Sequence, residues 1–216
     1  MLKQFEVKNI YIGEYGWKPW ENTIAYFPFE TDQLDATGNY TLTANWTQQT
    51  IGYKFNVQCG VTWWEIPWIN FIGMWYNTHN EKLYWNYDIC ACAKHWYIAY
   101  NPWHSQSNVQ NKIVVFSTSS FTLAASASWM SFDNRHYQAW SYDWSKILLC
   151  QDWVVTTFYN GSGYDFWNAF TLNNYWNWWD SSLQWTTFSN VIIENTGWTS
   201  QKMIDYYNQT KSNYWL

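Results

Sequence analysis

The sequence predicts an all-β protein: a two-sheet antiparallel jelly-roll sandwich with a short C-terminal helix. Three observations predict it. Short runs of β-branched and aromatic residues recur along the chain. Thr, Ser, Asn and Gly punctuate them roughly every ten residues, the spacing of a sandwich or jelly roll. A helical period is almost absent before residue 193. The length of 216 residues suits one such domain.

The elements follow in order. Residues 1–20 read as a leader strand and linker: Val7 to Ile12 alternates, and Gly13 to Trp20 carries Gly, Lys and Pro. The domain proper is expected over 21–216 and opens on a β segment, Asn22 to Phe29. Polar turn residues follow at Asp35-Ala-Thr-Gly38-Asn39, then a strand at Tyr40 to Thr43. Further strands are expected at Trp96 to Tyr100, Lys112 to Ser117, Phe121 to Ser128, His136 to Ala139, Ile147 to Gln151, Val154 to Tyr159 and Val191 to Glu194. The helix is expected over Thr199 to Asn208, with Thr199 as N-cap and Met203, Ile204 and Tyr207 on one face.

Composition excludes several function classes. The chain holds 11 Lys plus Arg and a net charge of −5, so no nucleic-acid footprint is present. The longest apolar runs have strand length, so no membrane insertion is expected. The start lacks an apolar signal-peptide core. Charged residues make up only 12 %, and Asn, Gln, Ser and Thr take their place. That balance fits a virion or an extracellular or cell-surface protein. The cysteines are Cys59, Cys90, Cys92 and Cys150. Cys90-Ala-Cys92 has neither zinc-knuckle nor redox spacing, and buried reduced thiols are the expected state.

Tryptophan is the anomaly, with 21 against 9 glycines. Many stand where backbone geometry calls for glycine. Asp152-Trp153 joins two β runs at a two-residue junction, where Asp-Gly is the strongest hairpin signal. Tyr142-Asp143-Trp144-Ser145 and the stretch Asn174 to Asp180 repeat the pattern. In one reading a dense aromatic surface stacks on sugars or bases. In the other, UGA codons that specify glycine have been rendered as tryptophan, and composition favours this one. Trp75 and Trp198 sit in contexts with no call for glycine. Several of Trp140, Trp144, Trp153, Trp176, Trp178 and Trp179 are expected in turns and unusually exposed.

Four segments taken together resemble the laminin-G-like, concanavalin-A-like jelly rolls of phage and bacterial surface proteins. Ile24 to Phe29 with Asp35 to Asn39 is similar to the family opening. His136 to Val154 is similar to its central hairpin. Asn173 to Trp185 resembles its Gly-rich loop, and Phe188 to Ile193 with the helical tail resembles its ending. The match spans most of 22–213 and is weakest between about 60 and 110. Trp140, Trp144, Trp153, Trp176, Trp178, Trp179 and Trp185 fall on the family's glycines. The resemblance implies a carbohydrate-binding fold whose relatives include calcium-dependent binders and a few glycosidases.

Chemistry-bearing patterns are sparse. A retaining glycosidase needs two carboxylates about 5 Å apart. The simplest source in a sandwich is acidic residues two apart on one strand face, and neither Glu65 nor Glu194 has such a neighbour. The chain is therefore not expected to be an enzyme. None of His79, His95, His104 and His136 has a metal-ligand partner at i+2 or i+4, and no Ser/His/Asp order stands out. Calcium at Asp35 and Asn39 is conceivable, but an Asx turn closing on its own backbone is the plainer reading. Asn39, Asn45, Asn160 and Asn208 begin Asn-x-Ser/Thr triplets that read as polar turns.

The expectation is thus a non-catalytic module binding a glycan or host-surface receptor. Ligand-binding candidates are Asp35, Asn39, Asn174, Asn177 and Asp180, on rim loops beside a concave sheet face. Other virion or surface proteins are possible partners. The alternative is a structural tail, fibre or capsid-decoration component without glycan binding, with a glycoside hydrolase third.

Overall fold

A computed structural model describes residues 22–28, 35–40, 49–51, 54–56, 69–77, 87–92, 96–101, 112–117, 122–125, 134–143, 145–159, 170–172 and 187–214. The proposed leader over 1–20 and the strand after Tyr40 lie outside them. The described residues form thirteen strands, β1 Thr23–Phe27, β2 Gln49–Ile51, β3 Lys54–Asn56, β4 Phe71–Asn77, β5 Tyr87–Cys92, β6 Trp96–Asn101, β7 Lys112–Ser117, β8 Thr122–Ala125, β9 Arg135–Tyr142, β10 Lys146–Gln151, β11 Val154–Tyr159, β12 Phe170–Leu172 and β13 Thr187–Glu194. Helix α1 spans Ser200–Thr210, and a 3₁₀ turn, Lys211–Tyr214, follows. The all-β prediction with one C-terminal helix is met.

Two antiparallel sheets result. The larger runs β11-β10-β9-β4-β13-β3-β2, with β1 also on β13; the smaller runs β12-β5-β6-β7-β8. Strand β8 of the smaller sheet comes near β10 and β11. The β9–β10–β11 meander is the part the sequence announces best. Asp143 closes its first turn, where Oδ1 accepts from Ser145 N at 3.1 Å, Ser145 Oγ at 2.7 Å and Lys146 N at 2.9 Å. Partial burial pushes the Asp143 carboxyl up, but these bonds and the Lys146 charge outweigh it and hold the group below its ordinary range.

Strand β13 needs an irregularity. Ser189 opposes Trp75 and Ile192 opposes Gly73, so three steps on β13 match two on β4. The extra residue is a β-bulge with Asn190 at φ 50°, a left-handed angle that asparagine tolerates. Asn190 is pinned on every side: its N–H donates to Pro28 O at 3.0 Å, Oδ1 accepts from Tyr26 OH at 2.7 Å, and Nδ2 donates to Tyr214 OH at 2.5 Å. Beyond the bulge β13 changes neighbour, from β3 at Thr187–Phe188 to β1 at Val191–Glu194.

The core lies between the larger sheet and α1. Tyr26, Phe71, Trp75, Tyr137, Ala139, Leu148, Cys150 and Ile192 meet Trp198, Met203, Tyr206, Tyr207 and Tyr214. The N-cap prediction holds, with Thr199 Oγ1 accepting from Lys202 N at 3.2 Å. The predicted buried face shifts by part of a turn: Met203, Tyr206, Tyr207 and Thr210 are buried, whereas Ile204 is half-buried. Tyr206 owes its burial to the Trp198 and Tyr137 rings, 5.6 and 5.3 Å away, which take an aromatic partner better than a methyl branch. Trp75 donates Nε1–H to Thr210 Oγ1 at 3.1 Å, and Trp198 donates Nε1–H to Glu194 Oε2 at 2.5 Å. Lys202 Nζ stands 4.1 Å from the Trp198 ring centroid and 3.5 Å from the same Glu194 oxygen, fastening the helix start to β13.

This core carries an alkaline liability. Burial, then the Cys150 and Glu194 charges, pushes the Tyr137 hydroxyl well above its ordinary range. Burial, then neighbouring tyrosines, does the same at Tyr206, and burial also raises the Cys150 thiol. Raised acids keep their protons in the fold while the unfolded chain loses them. Their contribution is whole below about pH 8 and falls as pH climbs past the ordinary thiol and then phenol values. Arg135, lowered by burial to about 10, acts in the opposite sense above that pH. We expect Tm, followed by near-UV circular dichroism, to fall steadily between about pH 9 and 11.5; a flat profile would show that these hydroxyls reach water.

Candidate functional site

The sequence candidates separate. Asn174, Asn177 and Asp180 lie outside the described residues. Asp35 and Asn39 share one turn, but Asp35 is buried and Asn39 exposed. Asp35 Oδ1 accepts from Tyr26 N at 2.8 Å and Thr37 N at 2.9 Å; Oδ2 accepts from Thr37 Oγ1 at 2.5 Å, Asn39 N at 3.1 Å and Tyr40 N at 3.0 Å. Gly38, at φ 74°, lets the backbone curl round this carboxylate. Asn39 Nδ2 donates back to Ile24 O at 3.0 Å. Five donors converge where a calcium ion would require acceptors, so the geometry favours the self-closing turn. Among the described residues no group of three or more His, Cys, Asp or Glu is placed to hold a metal ion.

A second cluster forms at the β9 start and the β10–β11 turn. Register puts Gln151 opposite Gln138, so Asp152 falls beside the first residues of β9. Asp152 adopts φ 55°. Its Oδ2 lies 2.9 Å from His136 Nδ1, its Oδ1 accepts from Tyr137 N at 3.0 Å, and its N–H donates to Tyr137 O at 2.8 Å. Both side chains keep a sliver of exposure at the end of the sheet. The carboxylate fixes the imidazole's orientation and keeps lone pairs for a hydroxyl donor. Spacing alone missed this pair, which is 16 residues apart. Counting register back from the Asp143 turn would have found it.

Trp153 follows Asp152 and is the exposed large hydrophobic among the described residues, at 60 %. Its ring centroid lies 5.7 Å from that of Tyr207, whose ring centroid is also 5.5 Å from Lys211 Nζ. The exposure expected of Trp153 is therefore found. The left-handed angle of this turn belongs to Asp152, however, and no described tryptophan has a positive φ. Trp140 departs from expectation: it lies within β9, paired with Leu149 and Ile72, and is 3 % exposed. The reason is that β9 runs on to Tyr142, so position 140 is strand interior and the turn begins later. Trp144, Trp176, Trp178, Trp179 and Trp185 lie outside the described residues.

No family model matches the chain, and no curated protein matches it. Solved structures do. Domain 4 of AbnA, a GH43 extracellular arabinanase from Geobacillus stearothermophilus solved with arabinotriose, is similar at 16 % identity and TM-score 0.64, over 86 % of this chain and 98 % of that one. Trypanosoma rangeli sialidase is similar at 9 % identity and TM-score 0.65, over 88 % of this chain and 33 % of that one. A structure of botulinum neurotoxin type C, whose cell entry depends on two ganglioside molecules, matches at 12 % identity and TM-score 0.57, over 87 % of this chain and 51 % of that one. The chain thus spans nearly all of the arabinanase domain but about a third of the sialidase. These neighbours are domains that bind or act on glycans. They also correct the expectation that the chain is not an enzyme, since two come from glycoside hydrolases. The spacing test behind that expectation sees only groups on one strand. A fold that brings His136 to Asp152 across two strands assembles groups that no local pattern contains.

Proposed function

We propose that this chain is a glycan-binding domain of the laminin-G-like jelly-roll type, carried by a virion or cell-surface protein. In this reading the two sheets pack face to face, and the sheet end bearing Asp152 and His136 meets the sugar. The observation that carries it is the likeness to a domain solved with arabinotriose, matched over 98 % of that domain. The neurotoxin neighbour, dependent on gangliosides, adds a second glycan context. A carboxylate held beside an imidazole at a solvent edge is the kind of polar pair that orients sugar hydroxyls. The test is a glycan array that includes arabino-oligosaccharides, sialosides and gangliosides. Asp152→Ala and His136→Ala are each expected to weaken the best ligand about tenfold, or about 1.4 kcal/mol. No binding by the unaltered protein would end the proposal, and release of reducing ends from a bound oligosaccharide would place hydrolysis at the same domain.

We also read the loop tryptophans as glycine codons. The divide between Trp75 and Trp198, buried with their indole N–H groups bonded, and exposed Trp153 supports this. Trp140 counts against it at its own position. The coding DNA is the test: UGA at 144, 153, 176, 178 and 179 with UGG at 75 and 198 is expected. UGG throughout removes the reading and makes Trp153 a stacking platform.

A further inference from the structure

A sheet edge is a row of backbone donors and acceptors open to another strand, and native folds blunt it with short strands, lysine, proline, a bulge or a covering loop. Most edges here are managed that way. The edge strands β2, β12 and β8 are 3, 3 and 4 residues long. The outer side of β1 is covered by the Asp35 turn, which bonds Ile24 and Tyr26. Strand β11 is the exception. It ends the larger sheet, runs for 6 residues as Val-Val-Thr-Thr-Phe-Tyr, and pairs with β10 without a break in register. It holds no lysine, proline or charge. Val154, Val155, Thr156 and Phe158 are half-buried, and Thr157 is exposed. Strand β8 approaches β10 and β11 but is hydrogen-bonded to neither.

The Asp152-Trp153 turn fixes which groups point outward. A two-residue hairpin makes Gln151 and Val154 a hydrogen-bonded pair, and such pairs alternate along an antiparallel ladder. Val154, Thr156 and Phe158 therefore bond to β10, and the backbone groups of Val155, Thr157 and Tyr159 point away from it. Among the described residues no strand pairs with that side. These three residues are centred on Thr157. A two-fold axis through Thr157, perpendicular to the sheet, sets it against a second copy's Thr157, Val155 against Tyr159 and Thr156 against Phe158. Every outward N–H then meets a C=O. The Thr–Thr and β-branched–aromatic pairs are of the kind that stabilise sheets, and no like charges face each other.

We propose that β11 is the interface of a symmetric dimer, in which two copies join edge to edge by antiparallel pairing about Thr157. The occupant is a second copy because the same three residues answer one another in a single register, and such a joint closes at two. It stands independently of glycan binding. The antiparallel arrangement sets the two Asp152–His136 pairs at opposite ends of the joint.

Sedimentation equilibrium of the full chain tests it. The unaltered protein is expected to be a dimer, and nothing larger, at about 100 μM. Thr157→Lys and Thr157→Glu each set like charges across the axis and are expected to weaken the dimer at least about tenfold. Their equimolar mixture is expected to recover it as a heterodimer. Near-UV circular dichroism checks that both variants fold. Should either fail, amide exchange on the unaltered protein decides: Val155 and Thr157 N–H are protected when concentrated and exchange freely when diluted, while Thr156 N–H is protected in both. A monomer at that concentration overturns the proposal. So does a dimer that both variants leave intact, a mixture that restores nothing, or exchange at Val155 and Thr157 that ignores dilution.

Discussion

Asp35→Ala is expected to destabilise the domain by about 3–5 kcal/mol, with an equilibrium denaturation midpoint at pH 7 as the readout. The carboxylate gathers five donors from Tyr26, Thr37, Asn39 and Tyr40. Alanine leaves the Tyr26 N–H buried and unmatched within β1, against its partner β13. Asp35→Asn tests the same idea more finely. It keeps the shape but turns one acceptor oxygen into an NH₂ that faces three donors if Oδ2 is the atom replaced. A loss of about 2 kcal/mol or more is expected even so. A loss under 1 kcal/mol for Asp35→Ala would mean that water replaces the carboxylate at little cost, and the turn would not organise the start of the domain. Added calcium is expected to leave the melting of the unaltered protein unchanged, because the oxygens already face N–H and O–H groups.

The second large effect is a contrast between two tryptophans. Trp75→Ala is expected to remove about 3–5 kcal/mol. Its ring is wholly buried, packed against Tyr137, Tyr207 and Tyr214 at 5.5, 5.6 and 4.3 Å, and its Nε1–H holds Thr210 on the helix. Trp153→Gly is expected to stay within about 1 kcal/mol of the parent. The turn gains the Asp-Gly pair that two-residue hairpins favour, loses an exposed ring, and gives up one edge contact with Tyr207. The pair of denaturation curves decides the matter. Equal losses would show that Trp153 is as structural as Trp75, and would count against a glycine at that position.

Much of the larger sheet was legible because its strands are bounded by local turn chemistry. Asp143 and Asp152 mark both ends of β10, and the predicted Val154 to Tyr159 matches β11; in the smaller sheet the predicted Lys112 to Ser117 matches β7. Strand β4 was not foreseen. It has nothing like alternation, since its two faces are both buried, one against α1 and one on the opposite side. Its Gly73 reads as a strand weakener, yet an added Cβ there would come within 2.7 Å of the Phe71 ring. That closeness depends on a neighbour whose position no local rule supplies. The site shows the same limit. Asp35 was visible as a turn because its partners lie within a few residues, except Tyr26. The His136–Asp152 pair and the Gln138–Gln151 pair exist only through register, and register needs the turns counted before any chemistry can be placed.

The bulge at Asn190 works as a parity switch. If the same residues ran through β13 without a bulge, alternation would be unbroken. Ser189 and Ile192 would then face opposite ways, and Glu194 would leave Trp198 and Lys202 for the far side of the sheet. A single-codon deletion at 190 would instead remove the bulge and keep Val191 to Glu194 on their present faces, at the cost of the bonds Asn190 makes to Pro28, Tyr26 and Tyr214. The one left-handed residue thus sets the facing of the half-strand that β1 and the helix start both lean on.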